Sequence, residues 1–283
     1  MKNLEKNMSG VHPRLYFGHE DIIMLSEKFI NDSPNNYIDE ETALNPRCAG
    51  IKIYEAPIFA FGAASDELYV KYKASDVIGS HFLSPTEWLP ITKTVISFFL
   101  PYTDRIKAAN SIDCCSPADE WLHGRYEGQQ LLKLLLEYLV KVISEAGFKS
   151  LAPSIDQQFK TSNNGNWTSN WSERHIAYAC GLGTFGLSRV IITKRGMSGR
   201  LGSVLTELDL PKDNRDYNNI YEYCTMCGEC IDRCPVQAIS FDNGMNRTLC
   251  SDFLDKVREK HSPRYGCGKC QTGVPCESEI PIK

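Results

Sequence analysis

Apolar residues recur at helical spacing in two stretches of the chain. The longer stretch, over residues 119–146, predicts a helix whose apolar face carries Leu122, Leu132, Leu136, Leu139 and Ile143. Gly147 follows this stretch, and glycine is the residue that most often ends a helix. A shorter pattern predicts a helix over residues 20–31. We expect both helices to contribute to the hydrophobic core.

Strand patterns lie between and after these helices. Residues 92–100, TKTVISFFL, are rich in β-branched and aromatic residues and predict a buried strand before Pro101. Residues 187–193 and 202–208 predict two further strands joined by a glycine-bearing turn, an arrangement typical of a hairpin. The chain therefore mixes helices and strands, and we expect an α/β (α+β) fold.

A polar loop is predicted between the long helix and this hairpin. Residues 160–171 are rich in Ser, Thr, Asn and Gly, yet they include Trp167 and Trp171. Two interpretations are open, because the tryptophans could anchor the loop on the core or cover a flat ligand. Residues 172–180 follow as a short predicted helix.

The composition becomes polar and proline-bearing from Pro211, in PKDNRDYNN. This change predicts a boundary between an α/β cofactor or substrate domain, residues 1–215, and a cysteine-rich domain, residues 216–283. Since no apolar run approaches the ~18 residues of a membrane span and the first residues do not resemble a secretory signal, we expect a cytoplasmic protein without a membrane partner. A net charge of -4 argues against a nucleic-acid partner, because phosphate binding draws on a basic surface.

The cysteine-rich segment carries the most specific motif in the chain. Cys224, Cys227, Cys230 and Cys234, with Pro235 behind them, form the C-x-x-C-x-x-C-x-x-x-C-P run of bacterial ferredoxins. Three of these thiolates can surround one face of an iron–sulfur cube, while the fourth points towards another cluster.

Eight cysteines make two sets of four. The interleaved pattern assigns Cys224, Cys227, Cys230 and Cys276 to one 4Fe-4S cluster, and Cys234, Cys250, Cys267 and Cys270 to the other. Structural zinc sites are the alternative, because they also use C-x-x-C pairs. The remaining cysteines, which lack ligand spacing, are expected to be buried as small apolar residues: Cys48, Cys114, Cys115 and Cys180.

A glycine-rich loop precedes the predicted hairpin. Gly181, Gly183 and Gly186 match the dinucleotide-binding pattern G-x-G-x-x-G. That pattern needs a strand before it and a helix after it, whereas the predicted order here is reversed, so we exclude NAD. The glycines could let a flat cofactor approach the backbone, or they could form a helix cap and a tight turn.

Two ionisable residues just before this loop are candidate catalytic groups. Glu173 and His175 could supply protons to a bound substrate. The alternative interpretations are surface salt bridges for Glu173 and for Arg174, and a partly buried structural role for His175.

Together these motifs resemble the epoxyqueuosine reductases and their relatives, the cobalamin-dependent reductive dehalogenases. The resemblance covers roughly residues 85–280. It is carried by the two cysteine groups and by PITKTVISFFLPY (90–102), GRYEGQQLLKLL (124–135), ERHIAYACGLGTFG (173–186) and GRLGSVLTELDL (199–210).

The resemblance implies that the N-terminal domain holds cobalamin beside the nearer cluster and that electrons reach cobalt through both clusters, paired as above. The chain also departs from the epoxyqueuosine reductases. Trp167 and Thr168 stand where those enzymes have a catalytic aspartate, and their glycine-arginine-aspartate-tyrosine-histidine motif is GRYEG (124–128) here. Glu277, not proline, follows the last cysteine.

Three functions are compatible with this pattern. The first is an oxygen-sensitive iron–sulfur oxidoreductase that uses cobalamin to reduce a substrate, with a ferredoxin or flavodoxin as low-potential electron donor. The second is an electron-transfer protein that reduces a partner, for instance a corrinoid protein. The third is epoxyqueuosine reduction in tRNA.

Overall fold

The computed structural model describes residues 17–163 and 167–282. Its helices and strands are interspersed along the chain, and a mixed α/β body is followed by a cysteine-rich segment with a few short elements and one longer helix. In chain order they are α1 (His19–Asp32), β1 (Ile58–Ala63), α2 (Leu68–Lys71), α3 (Pro85–Trp88), β2 (Thr94–Pro101), α4 (Asp104–Ser111), α5 (Asp119–Glu145), β3 (Ser150–Leu151), β4 (Thr161–Asn163), β5 (Trp167–Ser169), α6 (Glu173–Cys180), β6 (Gly183–Phe185), β7 (Ile191–Thr193), β8 (Gly199–Thr206), α7 (Glu229–Asp232), β9 (Ile239–Ser240), β10 (Gly244–Met245) and α8 (Arg247–His261).

A four-stranded antiparallel sheet forms the centre of the α/β body. Its strand order is β1-β2-β8-β3, with Ile58 opposite Phe99 and Thr94 opposite Thr206. Strand β2 is buried along its whole length. This burial explains why its sequence is almost continuously apolar, since a central strand covered on both faces has no solvent side to make polar.

Helices cover both faces of the sheet. Ile96, Phe98 and Leu100 of β2 pack with α1 and α5 in one apolar cluster. Val95 and Phe99 point the other way and pack with α6 in a second cluster. The alternation follows the two-residue period of a strand.

The cysteine-rich segment is fastened to the α/β body by hydrogen bonds and by tight packing. The backbone N–H groups of Met197 and Ser198 donate to the carbonyls of Cys276 and Glu277, at 3.0 and 3.1 Å. Its apolar core is small: Val274 packs with Ile192 and Met197 of the α/β body. The segment therefore depends on interactions other than apolar packing for much of its stability.

Several sequence predictions are confirmed. The predicted helices over residues 20–31, 119–146 and 172–180 are α1, α5 and α6, and the predicted strand over 92–100 is β2. The boundary predicted at residue 215/216 stays a prediction. None of the described helices is both long enough and apolar enough to cross a membrane.

The predicted hairpin of residues 187–193 and 202–208 is wrong. Strand β7 pairs with β6, which is formed by the glycine-rich segment itself, whereas β8 pairs with β2 and β3. The 160–171 segment is not all loop, because β4 and β5 pair within it. Trp171 is buried and stacks on Phe82, so it anchors the core, while the side chain of Trp167 lies outside those described.

Candidate functional site

The structure brings Cys224, Cys227, Cys230 and Cys276 together around one small cavity. Gly228, with φ of +87°, makes the left-handed turn that starts α7 between the second and third of these cysteines. Burial raises the pKa of Cys230 to about 11 and that of Cys276 to about 12, and the neighbouring thiols of the same set add to both shifts. These four thiols therefore face one another, although Cys276 is distant in sequence.

The other four cysteines line a second cavity, of about 250 Å³. Cys250 is supplied by α8, and Cys267 and Cys270 flank the buried Lys269. Burial raises the pKa of Cys267 to about 11, with Cys250 and Cys234 contributing. Each cavity is thus lined by one of the two groups of four, and the assignment of each group to a 4Fe-4S cluster stays a prediction.

The donor geometry fits a cluster of four irons better than a zinc ion. Four thiolates on one zinc ion, at ~2.3 Å each, would lie ~3.8 Å from one another. Among the described residues, none of the eight cysteines belongs to a group of three ligand atoms within 4.8 Å of one another. In a 4Fe-4S cube each thiolate binds a different iron, so the sulfur atoms stand farther apart.

Three arginines surround the second cavity and make it strongly cationic: Arg125, Arg174 and Arg200. Burial, and the other arginines, lower the pKa of Arg125 and of Arg174 to about 10. Within the described structure, Nη1 of Arg125 and Nε of Arg200 are buried without a hydrogen-bond partner. A thiolate-ligated cluster is anionic and accepts hydrogen bonds at sulfur, so it would satisfy these donors.

A polar cleft of about 220 Å³ adjoins the second cavity. Arg174 lines both spaces, and the cleft is also lined by Phe159, Thr168, Ser172, His175 and Arg247. The surface-salt-bridge interpretation of Arg174 is wrong. Its guanidinium donates to the carbonyl of Arg189 at 2.8 Å and forms a wall between cavity and cleft.

His175 lies in this cleft as a neutral imidazole. Burial, together with Arg174 and Arg247, lowers its pKa to about 3. Its Nδ1 is 2.8 Å from the hydroxyl of Ser172, and its ring packs against Tyr72. The residue can therefore form hydrogen bonds with a ligand, but it is not a proton donor of the imidazolium type at neutral pH.

Glu173 faces the sheet instead of the cleft. The Ser203 hydroxyl donates to its Oε2 at 2.6 Å, and Trp171 donates to the same hydroxyl at 3.0 Å. Its Oε1 is buried without a described partner, and burial raises its pKa to about 7. The structure therefore does not bring the two predicted catalytic residues, Glu173 and His175, into one lining.

The three glycines of the loop have different surroundings. Gly181 caps α6 with φ of +92°, and a Cβ at Gly183 would lie 2.1 Å from the carbonyl oxygen of Ile192 on β7. Local backbone packing thus accounts for both residues without a cofactor. Gly186 lines the first cysteine cavity.

Sequence reasoning missed Arg125 and Arg200. Arg125 lies in the GRYEG segment and Arg200 in GRLGSVLTELDL, but only the fold brings α5 and β8 to the same cavity. The prediction that Cys114 and Cys115 are buried is wrong, because both are exposed, whereas Cys48 and Cys180 are buried as expected.

Comparison with known proteins agrees with this architecture. A family profile described as a 4Fe-4S binding domain matches residues 218–240. An epoxyqueuosine reductase from Bacillus cereus is 27% identical over 68% of this chain and 50% of its own length. A tetrachloroethene reductive dehalogenase from Desulfitobacterium hafniense is 37% identical over 38% of this chain and 21% of its own length. The chain thus spans about half the length of the reductase it matches.

Solved structures share the fold of this chain. A catabolic reductive dehalogenase superposes with a TM-score of 0.51 at 13% identity, over 93% of this chain and 37% of that one. An epoxyqueuosine reductase solved with a tRNA stem loop gives a TM-score of 0.48 at 19% identity, over 93% of this chain and 68% of that one. The chain is thus similar to epoxyqueuosine reductases and, over a shorter region, to reductive dehalogenases, and it carries a segment that matches a 4Fe-4S binding domain.

Proposed function

We propose that this protein passes single electrons through two 4Fe-4S clusters to a reducible, anionic molecule bound in the cleft of Arg174, His175 and Arg247. The main support is that Arg174 lines both the second cysteine cavity and this cleft. One residue layer therefore separates the proposed donor from the proposed acceptor.

The exposure of the cysteines supports a direction for this transfer. Cys227, in the first set, is exposed, whereas each ligand of the second set is partly covered. A 4Fe-4S cluster, when bound, accepts and releases one electron at a time. An external low-potential ferredoxin or flavodoxin would thus meet the first set, and the second set would face the cleft.

The cleft residues would hold the acceptor. Arg174 and Arg247 offer positive charge, which favours a carboxylate, a phosphate or an electron-rich ring carrying one. The neutral His175, with Nδ1 beside the Ser172 hydroxyl, leaves its other ring nitrogen to hydrogen-bond the acceptor. These residues bind and orient the acceptor, and none of them is a strong acid.

Cobalamin, which the resemblance implies, is larger than the cleft. Pockets that enclose drug-sized ligands hold ~300–1,000 Å³, and cobalamin exceeds that ligand size, whereas the described cleft holds about 220 Å³. The described walls do not fit cobalamin as an enclosed ligand, and no step of the proposal requires it. The structure of a reductive dehalogenase with a similar fold suggests a mechanism for B12-dependent dehalogenation in that enzyme, which motivates a direct test here.

A second candidate is electron transfer to a macromolecule, either a corrinoid partner protein or a modified tRNA base. The small, open cleft favours it, because a group that projects from a larger molecule could enter where a bulky free ligand could not. The similarity to a Bacillus cereus epoxyqueuosine reductase supports the tRNA version.

The experiment is anaerobic reconstitution with iron, sulfide and hydroxocobalamin, followed by gel filtration and by optical and EPR spectra of the protein fraction. We expect eight irons and eight sulfides per chain, the content of two cubes. If one cobalamin per chain co-eluted with the protein, cobalamin would have to be included in the proposal as a bound cofactor. A four-iron content or zinc in either site would refute the two-cluster pathway.

The acceptor is tested with the same preparation. Cluster oxidation is followed after adding small anionic acceptors, a reconstituted corrinoid protein or tRNA bearing epoxyqueuosine, each to reduced wild type and to the Arg247→Met variant. Faster oxidation by a small anion that depends on Arg247 supports the first candidate. Oxidation only by the protein or the tRNA supports the second.

A further inference from the structure

Two adjacent exposed cysteines form a compact group outside the eight cysteines described above. Asp113, Cys114 and Cys115 lie between α4 and α5, and one possible ligand atom from each lies within 4.8 Å of the others. The sulfur atoms of Cys114 and Cys115 are 3.7 Å apart. None of these residues takes part in the proposed electron pathway.

This separation matches metal chelation better than disulfide formation. Two thiolates on one tetrahedral zinc ion, each at ~2.3 Å, lie ~3.8 Å apart. A disulfide needs sulfur atoms at ~2.05 Å and usually Cα atoms ~4.4–6.8 Å apart, whereas adjacent residues have Cα atoms only ~3.8 Å apart. The two thiols could therefore accept a common ion with little movement.

The third ligand is held in place by the local backbone. The N–H groups of Cys115 and Ser116 both donate to Oδ1 of Asp113, the latter at 3.2 Å. These two hydrogen bonds to Oδ1 orient the carboxylate beside the sulfur atoms and leave Oδ2 to bind a cation. The three donors are exposed, so water can fill the fourth position of a tetrahedron.

The loop is also fixed at its base. The N–H of Ala118 donates to Oδ1 of Asn110 at 3.0 Å, and Arg233 donates to the carbonyl of Ser111 at 3.1 Å. Lys269 donates to the carbonyl of Asn110 at 2.8 Å. A fixed loop loses little conformational entropy when it binds an ion, which favours affinity.

We propose that Asp113, Cys114 and Cys115 form a binding site for one thiophilic cation of the zinc and cadmium class. Soft thiolates select such ions, and a carboxylate is an accepted third ligand for zinc. Asn110 connects the site to the second cysteine set, because its amide donates to the carbonyl of Cys267 at 3.1 Å. The cation would therefore lie on the surface next to the cysteine-rich segment.

The test is a cadmium titration of the cluster-loaded protein under anaerobic conditions. The readouts are the ultraviolet thiolate-to-cadmium charge-transfer band, calorimetry, and the visible cluster absorption. We expect one tight site in wild type with the cluster absorption unchanged. The double variant Cys114→Ser, Cys115→Ser should lose this band and the tight site.

Two single variants sharpen the test. Asp113→Asn keeps both sulfur atoms but removes a ligand charge, so it should weaken binding by at least the ~10-fold that loss of an outer-shell partner costs. Ser116→Ala keeps all three ligands and should bind as wild type does. The proposal is overturned if the double variant titrates like wild type, if no band appears, or if cadmium uptake bleaches the clusters.

Discussion

The buried carboxyl group of Glu173 makes folding stability depend on pH in a defined direction. Its pKa rises from the ordinary 4.5 to about 7 because burial removes it from water, and the hydrogen bond from Ser203 only partly offsets this effect. The folded protein therefore binds more protons here than the unfolded chain does between these pH values. Stability from this site is fully present below about pH 4.5 and is lost as the pH rises through about 7.

The size of the effect follows from the same pKa values. At ~1.4 kcal/mol per pKa unit, the rise from 4.5 to about 7 corresponds to about 3 kcal/mol of folding free energy at alkaline pH. Glu173→Gln removes the ionisation but keeps an oxygen that can accept from Ser203. The variant should therefore gain stability relative to wild type as the pH rises.

The assay compares thermal unfolding midpoints of cluster-loaded wild type and Glu173→Gln under anaerobic conditions at about pH 5 and about pH 8. We expect the midpoint difference between variant and wild type to increase by roughly 5–10 °C from the lower to the higher pH. Taking the difference between two proteins at each pH cancels the cluster loss that both share.

A matched control is Glu207→Gln, since this carboxylate also accepts a hydrogen bond at the sheet, from the N–H of Lys149 at 2.7 Å. The variant shows what a Glu→Gln change beside the sheet does to the midpoint by itself. An equal difference for Glu173→Gln at both pH values would refute the reasoning, because it would mean that the carboxyl group ionises as easily in the folded protein as in the unfolded chain.

Three further predictions concern the cysteine sets and the backbone around them. Cys276→Ser and Cys270→Ser should each reduce iron and acid-labile sulfide by about half while EPR retains the other cluster, and loss of both signals in either variant would contradict the assignment of separate sets. Arg125→Met removes a positive charge beside the second cavity, so redox titration should find one cluster potential lowered on the order of 60 mV, or ~1.4 kcal/mol for one electron, and an unchanged potential would place Arg125 away from the cluster. Gly183→Ala places a Cβ 2.1 Å from the Ile192 oxygen and should cost at least about 2 kcal/mol in denaturant unfolding, whereas a stable variant would show that β7 can move away.

Sequence reasoning succeeded where the signal is local. The ferredoxin-like run is recognised by its spacing alone, and a 4Fe-4S binding domain profile matches residues 218–240. Cys276 lines the same cavity as Cys224, and its assignment to the first cluster stays a prediction. Helix α5 and strand β2 are also visible in the sequence. The apolar pattern of α5 extends over many residues, and β2 is a nearly continuous apolar run. Both patterns match the burial of these elements in the fold.

The sequence could not reveal which strands pair. Strand β8 has the composition of a hairpin partner for β7, yet it lies between β2 and β3 in the sheet. Strand pairing depends on packing across the whole domain, and a turn signal alone does not determine it. For the same reason the sequence does not show that Arg125 and Arg200 line one cavity, because only the folded protein brings them together.

The interleaved assignment of the cysteines, in which each cluster takes ligands from distant parts of the sequence, has a consequence for the stability of the protein in the presence of oxygen. Clusters that join Cys230 to Cys276, and Cys234 to Cys267, would act as cross-links that close long loops in a segment with a small apolar core. Oxidative loss of either cluster would then free these loops from the sheet. Proteases would then cleave within residues 217–282 in the damaged molecules. Cluster loss would therefore direct inactive molecules to degradation while intact ones are spared.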